Sequence, residues 1–181
     1  MRVGVLFSGG KDSCFAAYKA KQAGNELTCL ISLISENLDS YMFHTPNITL
    51  TEKQAEVMNL PLITHKTPGQ KELELKDLEE SIKIAIDKYD VQGLVTGALH
   101  SDYQAKRIKT ICDKLGIECI NPLWHMDEIT YLKKLVESKF KVMIVGVAAY
   151  PLDQTWLDRV IDDKFIKDVA DLKDEYKIQT K

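Results

Sequence analysis

The chain has 181 residues, 45% of them hydrophobic and 28% charged, with a formal net charge of -3. That length fits one domain of common size with a substantial core, and the near-balanced charge excludes a strong global field drawing the protein to nucleic acid or a membrane surface. It does not exclude RNA as a substrate.

Arg2 to Phe7 is a near-continuous apolar run, the pattern of a strand buried on both faces of a parallel sheet. Ser8-Gly9-Gly10-Lys11-Asp12-Ser13 follows, and Lys11 to about Ala23 reads as a helix. A strand that turns through two glycines into a helix start suits an anion. The glycines let backbone approach a ligand closely. The first N–H groups of the helix have no helical partners, and the helix dipole adds positive character there. Lys11 adds a full charge, and Ser8 and Ser13 add hydroxyl donors. The loop is not the common P-loop, whose two glycines are separated by four residues. Here they are adjacent, and Asp12 follows the lysine.

Strand two is expected over Leu27 to Ile34, then a loop, Ser35 to Ile48. Thr49-Leu50-Thr51-Glu52 reads as a capping box opening helix two. Strand three is expected at Leu62 to His65. Leu75, Leu78, Ile82, Ala85 and Tyr89 recur at helical spacing and define an amphipathic helix three. Strand four is Gln92 to Thr96. Helix four turns Ile108, Ile111, Cys112 and Leu115 inward and stops at Gly116. Strand five is Ile117 to Ile120. Helix five runs from about Asp127 to Ser138 with Ile129, Leu132, Leu135 and Val136 inward. Strand six is expected at Lys141 to Ala148, and the tail from Asp153 is helical.

This alternation implies a three-layer α/β sandwich with a mostly parallel twisted sheet. Residues 1–150 form the nucleotide-binding domain in this reading, and 151–181 a helical tail. Ligands of such sheets bind beyond the carboxyl ends of the strands, where strand order reverses. Four loops then share one crevice: Ser8–Ser13, Ser35–Ile48, Gly97–Gln104 and Tyr150–Thr155.

Lys11 is the expected phosphate ligand. Asp12 either shares a Mg²⁺ with the phosphates, as that ion prefers, or only complements the helix N-terminus. His44, Thr45 and Asn47 offer an acid or base, a hydroxyl and an amide, with a structural role for the histidine equally open. Gly97 would let backbone approach a nucleotide. Ser101 and Asp102 either face the crevice or cap helix four. Arg107, one turn into that helix, either neutralises an α-phosphate as charge gathers or is a surface arginine. Trp124 reads as a buried residue closing the crevice floor. The four cysteines, Cys14, Cys29, Cys112 and Cys119, form no C-x-x-C pair and read as buried reduced thiols. Neither a signal peptide nor an apolar run of roughly 20 residues is visible, so a cytoplasmic protein is expected.

Ser8-Gly9-Gly10-Lys11-Asp12-Ser13 resembles the PP-loop of the N-type ATP pyrophosphatases. Further pieces resemble one branch of that superfamily, the diphthine–ammonia ligases and their archaeal relatives. They are Ser40 to Asn47, Gly97-Ala98, Ser101-Asp102-Tyr103-Gln104 with Arg107, Pro122-Leu123-Trp124, Leu152-Asp153 and Trp156-Leu157. Their order and spacing hold across about 150 residues.

The resemblance implies an adenine nucleotide α-hydrolase-like fold and an ATP- and Mg²⁺-dependent amide ligase. The carboxylate of diphthine on translation elongation factor 2 would be adenylated. Ammonium would then supply the nitrogen of diphthamide, with AMP and pyrophosphate released. It implies Lys11, Asp102 and Arg107 as catalytic residues, with Ser8, Gly9, Gly10, Lys11, Asp12, Ser13 and Gly97 at the nucleotide and Asp12 at the metal. His44, Thr45, Asn47, Ser101, Tyr103 and Gln104 would face the acyl substrate. No membrane or DNA partner is implied, and a homo-oligomer is compatible.

Two departures stand out. The family pattern Leu-Gly-Arg is here Leu157-Asp158-Arg159. The family also continues into Glu-Gly-Gly-Glu-(Phe/Tyr)-Glu-Thr, about where this sequence stops. ATP binding is expected to survive without that stretch, whereas the ligase step need not. The alternatives are a PP-loop enzyme that modifies a tRNA base, and a non-catalytic module that binds ATP or AMP.

Overall fold

The structure, a computed structural model, describes residues 1–37, 50–70, 73–147 and 150–176. It divides into two compact units, 1–124 and 125–181.

The first unit is a five-stranded, all-parallel sheet. Its strands are β1 (Arg2–Leu6), β2 (Glu26–Ser35), β3 (Leu62–Thr67), β4 (Gly93–Val95) and β5 (Glu118–Ile120), in the order β3-β2-β1-β4-β5. The helices between them are α1 (Lys11–Gln22), α2 (Thr51–Met58), α3 (Leu73–Tyr89) and α4 (Asp102–Leu115). In register, Val5 pairs with Leu30 on one side and Val95 on the other.

The order sets the layers. The chain steps outward from β1 to β2 to β3, then crosses to β4 and steps outward the other way to β5. Right-handed crossovers put the first two helices on one face and the next two on the other. Cys29, Ile31 and Leu33, alternate residues of β2, pack with Leu78, Ile82 and Ala85 of α3 and Ile108, Ile111 and Cys112 of α4. Helix α1 packs against β1, β2 and β4 and buries Phe15, Ala16, Ala17 and Ala20. Each large side chain buried in these layers contributes about 1.5–3 kcal/mol. The inward positions expected of helices three and four are therefore correct, with Leu75, Tyr89 and Leu115 partly buried at the edge. Gly116 takes φ 71° as the left-handed stop of α4.

Helix α2 starts at Thr51 after Leu50, which gives no side-chain cap; Thr49 of the expected capping box lies outside the described residues. Trp124 is half-buried, and Leu123 before it is the fully buried side chain. The expected burial of the indole is therefore only partial.

The second unit contains α5 (Glu128–Glu137), a short 3-10 turn at Gln154–Trp156 and α6 (Asp163–Tyr176), with α5 packed on α6. Helix α5 buries Glu128, Tyr131, Leu132 and Leu135, so Ile129 and Val136 sit at the margin rather than inward. Lys173 of α6 holds Glu128 at 3.1 Å, which explains how a carboxylate is buried there.

The expected sixth strand does not form among the described residues. Met143 makes one isolated antiparallel bridge with Val160. Ile144 N–H donates to Arg159 O, Asp158 N–H to Ile144 O and Ile161 N–H to Val142 O. The apolar run thus pairs with the returning chain of its own unit, and Met143 and Val145 stay exposed. Between these bonds Asp158 takes φ 61°, a left-handed conformation that favours glycine. A glycine, as in the pattern the sequence resembles, would take this angle without strain. Among the described residues no helix is long and apolar enough to cross a membrane.

Candidate active site

Strand order reverses between β1 and β4, so the carboxyl ends of those two strands flank the crevice. Ser8-Gly9-Gly10 leaves β1 there and α1 begins at Lys11. Gly9 takes φ 75°, which its missing side chain permits. Gly10 is the N-cap of α1 and provides no side-chain cap. Natural helix starts usually carry one; here the N-cap position offers backbone alone.

The serines brace the turn. Ser13 Oγ donates to Gly10 O at 3.1 Å and accepts from Ser8 N–H at 3.3 Å. The two serine hydroxyls lie 3.3 Å apart. Ser13 is buried and Ser8 exposed, so the first acts within the loop and the second faces outward. From α2, Gln54 Nε2 donates to Gly9 O at 3.0 Å. Nothing in the sequence singled out Gln54, which sits in a helix of plain polar composition.

Lys11 and Asp12 form an ion pair at 2.9 Å with side chains 31% and 42% exposed. Such a pair contributes only about 0–1 kcal/mol. An arriving phosphate and its cation can therefore exchange partners with it at small cost. Among the described residues no group of three or more His, Cys, Asp or Glu side chains could hold a metal ion by itself. One carboxylate beside phosphate oxygens is nonetheless the usual setting for Mg²⁺, and Asp12 fits it.

Gly97 leaves β4 directly against α1. A Cβ added there would lie 2.8 Å from Asp12 C and 2.9 Å from Ser13 N. Its bareness thus seats the first turn of α1 on the end of β4, a different task from admitting a nucleotide. Next to it, Thr96 Oγ donates to Asn121 Oδ1 and accepts from Ala98 N–H at 3.2 Å. This pair ties the ends of β4 and β5; a Thr and an Asn at strand ends gave no signal of it.

Ser101 caps α4, accepting from Gln104 N–H at 3.4 Å. Asp102 is exposed in the first turn of that helix, where its charge complements the dipole. Arg107 stacks on the Tyr103 ring at 3.7 Å. Stacking engages the face of a guanidinium, whose N–H donors lie in its plane. His44, Thr45 and Asn47 lie outside the described residues. Of the expected site, the structure brings together Ser8 to Ser13 with Gly97, and separately Ser101 with Gln104 and Tyr103 with Arg107.

Cys14 follows the loop, with its thiol 3.6 Å from Gly9 O. Burial, aided by the charge of Asp12 and opposed by the Ser13 hydroxyl, pushes its pKa from 9.0 up to about 11. It is protonated at neutral pH and poorly nucleophilic. Burial likewise pushes Cys29 to about 11, and all four cysteines are unpaired thiols.

Against this geometry stand the known relatives. Residues 1–119 match the diphthamide synthase N-terminal domain and residues 127–181 the diphthamide synthase C-terminal domain. The human protein named diphthine–ammonia ligase is 33% identical over 171 residues, covering 84% of this chain and 64% of its own length. Its Schizosaccharomyces pombe counterpart is 32% identical over 168 residues, covering 84% and 28%. The chain thus spans a little under two thirds of the human relative. Among solved structures, a predicted subunit of tRNA methyltransferase from Methanocaldococcus jannaschii has TM-score 0.50 and 21% identity, covering 80% of this chain and 79% of that one. The U34-tRNA thiolase NcsA from Methanococcus maripaludis has TM-score 0.50 and 17% identity, covering 97% and 66%. Those two likenesses speak to the three-layer α/β fold. The two domain matches, spanning nearly the whole chain in the order the motifs require, place this chain in the diphthamide synthase family, among relatives named diphthine–ammonia ligase.

Proposed function

We propose that this chain is an ATP-dependent ligase that converts diphthine on translation elongation factor 2 to diphthamide. The observation that carries the reading is the uncapped start of α1 at the strand-order switch, fronted by Gly9, Gly10 and Lys11. It offers backbone N–H groups, a dipole end and an ammonium to one polyphosphate. Ser8 and Lys11 hold the β and γ phosphates, while Ser13 braces the turn beneath them. Asp12 releases Lys11 and would hold Mg²⁺, which would supply charge neutralisation at the phosphates when bound; a single carboxylate beside phosphate oxygens suits that ion.

The chemistry needs little else from the protein. A carboxylate oxygen of diphthine attacks the α-phosphorus, the bond to the β-phosphate oxygen breaks and pyrophosphate leaves. Ammonia then attacks the acyl carbon, AMP leaves with the bonding pair, and the nitrogen loses a proton to give the amide. Arg107 neutralises the α-phosphate as charge gathers, with Tyr103 holding the plane of its guanidinium. Asp102, on the same helix start, takes the proton from the incoming nitrogen. Gly97 keeps the first turn of α1 in register with β4 beside the nucleotide. Ser101 and Gln104, with His44, Thr45 and Asn47, face the acyl substrate. The protein works in the cytoplasm, where its substrate is found.

The test is release of AMP and pyrophosphate from Mg²⁺-ATP with diphthine-bearing elongation factor 2 and ammonium, with tRNA, or with no acceptor. Equal amounts of AMP and amide with the first acceptor alone are expected, and Lys11→Ala loses ATP binding while keeping its fold. Turnover with tRNA alone would move the chain to base modification. Tight ATP binding without turnover on any acceptor would make it a nucleotide-binding module.

A further inference from the structure

Helix α2 sends one side chain to the phosphate loop. Gln54 Nε2 donates to Gly9 O at 3.0 Å, the oxygen that also lies 3.6 Å from the Cys14 thiol. Gln54 Oε1 is buried and has no hydrogen-bond partner among the described residues. The amide rests on Gly9 so closely that a Cβ there would lie 2.3 Å from Oε1. Its orientation is set by chemistry: turned over, Oε1 would face the Gly9 carbonyl, acceptor against acceptor.

A trans peptide is planar, with its C=O and N–H directed to opposite sides. The Gly9–Gly10 peptide is trans. Holding the Gly9 oxygen therefore aims the Gly10 N–H away from α2. Gly10 is exposed, and its N–H donates to nothing among the described residues. Two successive glycines impose almost no steric barrier to rotating the plane between them. Rotated, it would present a carbonyl oxygen where the N–H stood, and an anion would be repelled.

We propose that Gln54 is a positioning residue for polyphosphate binding, locking the Gly9–Gly10 peptide so that the Gly10 N–H meets the phosphates. This deepens the ATP reading of the loop and rests on it. Gln54 acts through Gly9 and does not touch the nucleotide. The unpartnered Oε1 fits this role, since the side chain leaves one atom unsatisfied to keep its grip with the other.

The test measures Kd by calorimetry for ATP, pyrophosphate and AMP on the full chain, as wild type, Gln54→Leu, Gln54→Glu and Lys11→Ala. AMP lacks the phosphates that the loop would hold. Gln54→Leu keeps bulk and removes the donor, so ATP and pyrophosphate should weaken about tenfold while AMP is unchanged. Gln54→Glu should weaken them further at pH 8, where a carboxylate faces the carbonyl. It should recover toward wild type as pH falls through about 4.5, where the carboxyl, raised by the facing carbonyl, protonates and donates again; the ratio to wild type at each pH removes the titration of the phosphates. ATP affinity equal in wild type and both Gln54 variants, with Lys11→Ala still losing it, would overturn the lock and leave the site standing. Loss of AMP in equal measure would mean general damage and would also overturn it. Wild type that binds neither ATP nor pyrophosphate would overturn the site and the lock together.

Discussion

Replacing Gly97 by alanine adds one methyl group where β4 meets α1. That carbon would lie 2.8 Å from Asp12 C, 2.9 Å from Ser13 N and 3.1 Å from Asp12 O. All three are backbone atoms, so no side-chain rotation relieves the contact. Ordinary contact begins near 3.4 Å, and the gap must open by about 0.6 Å. Overpacking of this kind costs about 1–3 kcal/mol. For a chain of this size each kcal/mol lowers the melting midpoint by about 2–4 °C. The turn that must move carries the N–H groups proposed to meet the phosphates, and a hydrogen bond lengthened by that much is mostly lost. ATP affinity should therefore drop about tenfold along with stability. Thermal unfolding and ATP titration of Gly97→Ala measure both. Gly146→Ala, with nothing within 4 Å of the added carbon, is the control. A Gly97→Ala protein that melts and binds ATP like the wild type would refute the seating of α1 on β4.

Asp12→Asn should flatten the Mg²⁺ dependence of ATP binding, because the one carboxylate in the loop is gone; metal titrations that overlay the wild type would leave Asp12 as a helix-end residue. Asp158→Gly should raise stability by about 0.5–1 kcal/mol in denaturant unfolding, since φ 61° is strained for a side chain. The thiols set an alkaline limit. Cys14 and Cys29 are raised from 9.0 to about 11 on folding, so their contribution is complete below pH 9 and is lost as pH rises toward 11. Unfolding midpoints measured from pH 8 to 11 should fall across that window, and alkylation of native Cys14 at pH 8 should be far slower than in denaturant.

The strand–turn–helix of the glycine-rich loop was readable because its residues are consecutive. Six residues carry the glycines, the lysine and the hydroxyls, and the flanking strand and helix begin and end within about one residue of their expected limits. Helices α3 and α4 were readable because burial on one face imposes a period. What failed depends on distance along the chain. Gly97 was noticed as a glycine, but the backbone that fills its space comes from Asp12 and Ser13, which no local pattern announces. Gln54 reaches Gly9 across 45 residues and has no signature of its own. The run at Lys141 to Ala148 shows the limit of hydropathy. It calls for a partner without naming one, and here the partner is the returning segment Asp158–Ile161. The departure at Asp158 was visible as a missing glycine, and only the backbone angle explained it.

The phosphate seat proposed at the start of α1 bears on how long the protein survives. A fold that binds a ligand there is less stable when the ligand is absent. A ligand that binds only the folded form adds about 2.7 kcal/mol at a hundredfold excess over Kd. On the reading above, the folded share of this chain rises and falls with the cell's energy charge. Proteases that attack opened chains would then clear it fastest in starved cells, when amide synthesis at the expense of ATP is least wanted.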